Sequence, residues 1–304
     1  MGRYKAGLVL LAVVLSAVSA HACTDAARRK NAGDKNSGNI QTEQHNTGGK
    51  DDAAVDSCAG PAALLSELDR PTVSDSVCSV RKNHVIAEFG YDYQVETGNT
   101  LSTLQTFPQA ELRYGVGHRV ELKLFPPDYL IQAMDTAGRT GTANGFGDAG
   151  AGVKYEFGYG EKYGFAADTA VTFASGSKAF TANGTGVTVN GIFAYNVNED
   201  IGIGVQVGLS HVFGPVFSTQ QSSLNPIIVV TDQLNEITSA LQLYAECYNT
   251  IDLMHGTGVA SFVDAGVQYL VFRNVEVDAE AGHNLTNLPS HNTTYVGFGT
   301  GIEF

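Results

Sequence analysis

The sequence predicts an all-β fold, an antiparallel transmembrane β-barrel of the outer-membrane kind with twelve strands. Three observations lead there. Apolar and polar residues alternate with period two from about residue 83 to the last residue, the pattern of strands with two unlike faces. The connections between these runs switch between short and long. Aromatic residues of a single facing gather beside the short connections.

Composition agrees. Charged residues are 16% of the 304, against roughly 25% in an ordinary soluble domain, and glycine is frequent at 35 residues. The balance of 18 basic and 31 acidic residues, a net charge of −13, argues against nucleic acid as a partner and against attraction to anionic lipid. A surface of low charge rich in Gly, Tyr and Phe suits a β-protein that is only partly in water.

The chain opens on a targeting segment. Arg3 and Lys5 precede an uncharged, mostly apolar run from Ala6 to Val18, and Ala20-His21-Ala22 is a small-x-small cleavage site. Residues 1–22 therefore read as a secretory signal peptide, because a run of about 13 residues is too short for a membrane helix of about 20. Cleavage after Ala22 makes Cys23 the first residue, but Ala20 and His21 do not match the branched and small residues that lipoprotein signals carry there. Residues 23–57 are polar, with Ile40 and Val55 their only large aliphatics, and read as a disordered linker. Residues 58–82 read as a periplasmic or plug-like segment, with one or two helical turns between Pro61 and Leu68, ahead of a barrel over 83–304.

An exported chain meets an oxidising compartment, so disulfides are expected. Cys58 and Cys78 both precede the first strand and are the favoured pair; Cys247 shares the parity of Leu241, Leu243 and Ala245 and is expected as a free, lipid-facing thiol. The cysteines and histidines have no zinc spacing, and no motif calls for a metal or a cofactor.

In the first strand Val85, Ala87, Phe89, Tyr91, Tyr93 and Val95 alternate with His84, Ile86, Glu88, Gly90, Asp92, Gln94 and Glu96. Runs of this kind place strands near 84–96, 104–114, 117–125, 147–157, 162–174, 186–196, 201–213, 226–235, 240–249, 259–270, 274–284 and 293–304. The eighth is the weakest, since Ile227 to Val230 is continuously apolar. Short turns fall at Gly115-Val116-Gly117, 158–161, 197–200 and 271–273, and long loops at 126–146, 175–185 and 214–225. Tyr114, Phe157, Tyr163, Tyr195, Tyr269 and Phe304 form the girdle beside the short turns or the terminus. Phe304 ends an alternating strand, the signal read by the outer-membrane barrel assembly machinery, which with outer-membrane lipid is the expected partner.

The stretch Asp69-Arg70-Pro71-Thr72, followed by Asn83-His84-Val85-Ile86-Ala87-Glu88-Phe89-Gly90-Tyr91, resembles the opening of a bacterial family of outer-membrane transporters linked to the meta-cleavage pathway of phenol degradation. Glu111-Leu112-Arg113-Tyr114-Gly115 and Arg119-Val120-Glu121-Leu122 resemble its second hairpin, and Gly145-Phe146-Gly147-Asp148 with Lys154-Tyr155 its glycine-rich fourth strand. Tyr244-Ala245-Glu246 and Asp264-Ala265-Gly266 resemble later strands, so the likeness covers about 69–304. It implies a barrel that moves small compounds, aromatic ones among them, and it supplies no catalytic residue.

With the apolar parity toward lipid, the other parity faces the lumen. It carries Glu88, Asp92, Glu96, Glu111, Glu121, Asp148, Glu156, Asp168, Glu246, Asp264, Glu276, Asp278, Glu280 and Glu303, against the cations Arg113, Arg119, Lys123 and Lys154. Such rows either pair into a structural filling or leave an acidic bore that favours cations and neutral solutes. Inward glycines such as Gly150, Gly202, Gly299 and Gly301 leave room for an open bore or for inward Tyr244, Tyr295 and Phe262 to pack across it. A hydrolase is the least supported class, because Ser210 and His211 are adjacent and point to opposite faces. The expected function is passive transport of small compounds, with a closed structural barrel carrying a periplasmic interaction segment as the alternative. Deleting Phe304 is expected to lower the amount of heat-modifiable protein in the outer membrane; normal levels would show that the terminus is not the assembly signal.

Overall fold

A computed structural model describes residues 58–304 except 59, 61, 99, 137–138, 161, 216–219, 255–257 and 287–290. The expected signal peptide, its cleavage after Ala22, Cys23 and the linker to residue 57 lie outside the described residues.

The alternating runs form fifteen β-segments: β1 (Val85–Gly98), β2 (Leu101–Phe107), β3 (Glu111–Gly117), β4 (Val120–Phe125), β5 (Tyr129–Thr136), β6 (Arg139–Phe146), β7 (Ala149–Tyr159), β8 (Tyr163–Phe173), β9 (Thr185–Asn196), β10 (Ile201–Phe213), β11 (Gln221–Gln233), β12 (Leu241–Asp252), β13 (Val259–Phe272), β14 (Val275–Asn284) and β15 (His291–Glu303). Neighbours pair antiparallel, and β15 pairs with β1 from Ile86↔Glu303 to Gly98↔His291, which closes the cylinder. Closure leaves the transmembrane sheet without the unpaired edge that lipid does not tolerate.

Twelve staves make the barrel, because β2 with β3, β4 with β5, and β6 with β7 are each one stave interrupted once. The first two interruptions contain Pro108, and Pro126 with Pro127, which have no N–H for the ladder. The breaks are spliced: Gly90 and Gln109 exchange two backbone hydrogen bonds (3.0 and 2.8 Å), and Gly147 N–H donates to Asp128 O at 2.8 Å. The segment 126–146, expected as a long loop, is instead the hairpin β5–β6, paired from Tyr129↔Phe146 to Thr136↔Arg139. Glycine and threonine in place of large apolar residues hide the alternation in β6.

The first short turn also differs from expectation. β3 continues through Gly115-Val116-Gly117, and the chain reverses at His118 and Arg119, whose φ values of 55° and 63° make a two-residue hairpin turn. Such turns ordinarily use Asn or Gly, so His-Arg carried no turn signal. In the eighth stave, β11, Ile227 and Val229 are buried while Ile228 is exposed, so the apolar run does alternate. Pro226 sits where the register with β12 skips from Leu224↔Ile251 to Ile227↔Tyr248.

The cylinder is inverted relative to a soluble protein. Leu122, Leu124, Val153, Val207, Leu209, Val277 and Phe298 are exposed on its outside, as are the girdle residues Tyr114, Phe157, Tyr163, Tyr195, Tyr269 and Phe304. Inside, Glu88, Arg113, Glu121, Lys154 and Glu276 are wholly inaccessible. Among the described residues no cysteine is free, which corrects the expectation for Cys247. That residue keeps the outward parity, opposite Ile228 and Val263, but it is disulfide-bonded and buried.

An outward face built for lipid makes a prediction. Val207→Arg, at the centre of β10, is expected to destabilise the barrel by about 2–4 kcal/mol in lipid vesicles, measured by urea unfolding. A negligible change would place that face in water.

Candidate functional site

Residues 62–82 are held by inward side chains from all sides of the cylinder, so this segment lies in the lumen. It begins with helix α1 (Ala63–Glu67), which has no side-chain cap and gives way to extended backbone at Leu68. Leu64, Leu65, Leu68 and Val80 bury their apolar surface against inward Ile86 and Leu270. The Cys58–Cys78 disulfide, with Cα atoms 5.6 Å apart, joins the two ends of this loop. It removes chain entropy that undocking would otherwise regain.

A segment with no partner strand must find acceptors for its N–H groups. The inward carboxylates and amides supply them. Glu88 accepts from Asp69 N and from Arg70 N (2.7 Å), and Glu246 from Val73 N (2.5 Å) and Ser74 N (3.4 Å). Gln206 accepts from Asp75 N at 2.8 Å, Glu156 from Ser79 N at 3.2 Å and Glu121 from Val80 N at 2.8 Å. Gln268 Nε2 donates to Arg70 O at 2.9 Å. Amide bonds to charged carboxylates are about twice as strong as neutral ones.

At the centre lies Asp69. Its carboxylate meets Lys123 at 2.7 Å, Lys154 at 3.0 Å and Arg113 at 3.4 Å. Arg113 in turn pairs with Glu121 (2.7 Å) and Glu88 (2.9 Å), and Lys123 with Asp75 (2.7 Å) and Glu111 (3.0 Å). Burial acts to raise the Asp69 carboxyl, but Arg113, Lys123 and Lys154 outweigh it and hold the group far below the usual carboxylate range. Asp69, Glu88 and Glu111 approach one another closely enough for a metal, yet Arg113 and Lys123 already neutralise them.

A second cation comes from the same segment. Arg70 reaches Asp278 at 3.3 Å and Glu280 at 3.7 Å, and its Nη1 donates to Gln109 at 2.6 Å. The acidic row of β14 therefore has a counter-ion that lies outside every strand. Arg81 pairs with Glu303, which also meets His84 Nδ1 at 3.0 Å. Gly299 and Gly301 do not leave an open bore, because a Cβ there would meet Arg70 Nε at 2.5 Å and Leu68 Cδ2 at 2.4 Å.

The remaining candidates fall into place around this core. Asp168 accepts from Asn190 (3.0 Å), which also donates to Asp75 (3.2 Å). Asp264 accepts from Tyr295 at 2.5 Å, Glu280 from Tyr244 at 3.3 Å and Glu96 from Gln94 at 3.0 Å. Glu276 is fully buried, and Asp92 forms no hydrogen bond or ion pair with the described residues. Two candidates stand apart from the lumen. Arg119 lies in the hairpin turn, half exposed and 4.0 Å from Glu156. Asp148, in the break between β6 and β7, accepts from Gly176 N and Ala182 N, both at 2.8 Å, and fastens the loop between β8 and β9.

Sequence reasoning missed Asp69, Arg70, Asp75 and Arg81 as lumen residues, because no strand periodicity covers them. It also missed Ser222, whose Oγ lies 2.6 Å from His211 Nδ1 across the β10–β11 register. No carboxylate among the described residues bonds His211, so the pair lacks the third member of a hydrolytic triad.

A closed twelve-stave cylinder with an apolar exterior and a charged interior defines an outer-membrane β-barrel. The COG4313 outer membrane channel from Pseudomonas putida F1 superposes on this fold with a TM-score of 0.59 at 12% identity, covering 77% of this chain and 100% of that one. The transport unit of the autotransporter AIDA-I from Escherichia coli gives 0.53 at 10% identity, over 80% of this chain and 96% of that one. At these identities the likeness shows the fold. No family model and no curated protein sequence matches the chain.

The charges of the segment make two predictions. Asp69→Ala leaves three buried cations without their shared partner, and losing one side of a buried ion pair costs about 3–5 kcal/mol. Trypsin is expected to cut the variant rapidly at Arg81 or Lys82 while the barrel stays resistant; a wild-type digestion pattern would show that Asp69 does not hold the segment. Glu67 behaves oppositely. Burial, partly offset by Arg81, pushes its carboxyl from 4.5 up to about 7. The docked state thus binds the extra proton, so docking is strongest below pH 4.5 and weakens as pH rises to about 7. Protection factors for hydrogen exchange in α1, which divide out the base catalysis of exchange itself, are expected to be lower at pH 8 than at pH 5, and Glu67→Gln is expected to remove that difference.

Proposed function

We propose that the chain is a passive outer-membrane channel for small solutes, aromatic or hydrophobic ones among them, whose bore is narrowed by its own segment 58–82. The observation that carries this reading is the pair of cavities on either side of the strap Pro71–Asp75. One, of about 470 Å³, is lined by Pro71 and Val73 together with Asp92, Glu280 and Tyr248. The other, of about 150 Å³, is lined by Thr72, Ser74 and Asp75 together with Tyr163, Ile192, Gly202, Gly204 and Val229. Pro71 and Val73 on one side of the strap, and Thr72, Ser74 and Asp75 on the other, thus face two half-channels, and the strap is the barrier between them.

The neighbour of like fold from Pseudomonas putida F1 is an outer membrane channel, which supports the same reading. The aromatic side chains of the larger cavity and the resemblance carried by Asp69-Arg70-Pro71-Thr72 support aromatic solutes. Export through a signal peptide cleaved near Ala22, and insertion by assembly machinery that reads Phe304, belong to this proposal.

The many bonds that pin the strap favour a second reading, a barrel that stays closed. Single-channel recording in a planar bilayer separates the two. The wild-type protein is expected to give small conductance steps, and Glu246→Gln combined with Asp75→Asn, which weakens the attachment of the strap, to enlarge them several-fold. Silence from both proteins would leave the closed barrel.

A further inference from the structure

The larger cavity has a chemistry of its own. Its volume of about 470 Å³ falls within the roughly 300–1,000 Å³ typical of small-molecule sites. Tyr248 and Phe262, register partners on β12 and β13, stack with ring centroids 5.0 Å apart and planes 4° from parallel, and both rings line the cavity. Across β14, β15 and β1, Glu280 and Asp92 are the register partners of Gly297, and the Glu280 side chain lies over that glycine, in space a Cβ would take, which brings its carboxylate toward Asp92.

Apart from the Thr293 hydroxyl, the side-chain donor groups of this wall already make a hydrogen bond. Tyr248 donates to Tyr295 at 3.2 Å, and Tyr295 donates to Asp264 at 2.5 Å, outside the cavity lining. Gln94 donates to Glu96 at 3.0 Å, and Asn284 to Thr286 O at 2.8 Å. What lines the cavity is therefore rich in acceptor lone pairs and aromatic rings. The carboxylates Asp92, Glu280 and Asp278 share a single guanidinium, Arg70, which lies 3.3 Å from Asp278 and 3.7 Å from Glu280. Asp92 has no hydrogen bond or ion pair with the described residues.

An anion meets repulsion here, and a neutral aromatic leaves the acceptors unused. An inorganic cation does not cover the apolar faces of Val73, Phe262 and Tyr248. We propose that this cavity is a binding site for small aromatic ammonium compounds, the ammonium set between Asp92 and Glu280 and the ring against Tyr248 and Phe262. Cation–π attraction is strongest where the rings are shielded from water, as within a lumen. This site rests on the channel reading for its role as the entry station, but it is tested by binding alone.

The test is isothermal titration calorimetry on the full chain in detergent with benzylammonium, benzyl alcohol and benzoate. Benzylammonium is expected to bind at one site at least about tenfold more tightly than the other two. Asp92→Asn and Phe262→Leu are each expected to weaken it by about tenfold, and heat-modifiability on gels checks that both variants remain barrels. Equal binding of benzyl alcohol or benzoate overturns the proposal, as does a benzylammonium affinity that neither folded variant changes. Conductance is measured separately: a protein that binds benzylammonium but passes no current loses the channel reading and keeps the site, whereas one that conducts and does not bind loses the site.

Discussion

The carboxylate of Asp69 lies among Arg113, Lys123 and Lys154, which come from the three neighbouring staves that contain β3, β4 and β7, and the interior is arranged around that contact. Cations buried in a narrow cylinder need partners that the facing staves supply only in part. Asp69 provides the shared partner from the axis instead of the wall. Its position then sets where Arg70 reaches β14, where Glu88 caps two amides, and where the strap crosses the bore.

This arrangement turns the acidic excess of the lumen into structure. Carboxylates that have no cation on a neighbouring stave accept backbone N–H groups of the segment, and these N–H groups would otherwise be orphaned. Glu246 works this way, and Glu156 also accepts a segment N–H although Arg119 lies 4.0 Å from it. Close packing of the segment also explains particular glycines. A Cβ on Gly115 would lie 2.1 Å from Arg81 O, so only glycine lets the segment backbone pass against β3 at that point.

Outside, the constraint is lipid and the solution is local. Each stave needs only alternation, joined in half of the twelve by an outward aromatic residue near the short-turn end, and those demands are met within the stave. Inside, the demands run across the bore. Asp75 touches Lys123 of β4, Asn190 of β9 and Gln206 of β10, residues that no single strand relates to one another.

The amino-acid sequence by itself determined the barrel, its twelve staves, the facing of nearly every strand residue and the Cys58–Cys78 pair, because a period-two pattern and two cysteines close together ahead of the first strand are short-range signals. It did not reveal the hairpin β5–β6, where small residues erase the alternation, nor the His118-Arg119 turn, where positive φ falls on residues that rarely adopt it. It assigned Cys247 the right face and the wrong bonding, since parity says where a side chain points and nothing about what comes to meet it. The candidate site was legible only as a set of inward charges. Which of them pair was decided by the tertiary structure, because Asp69, Arg70 and Asp75 lie on a segment with no periodicity and find their partners across the lumen. Arg70 and Asp278 are 208 residues apart in the chain, a separation that no local pattern encodes.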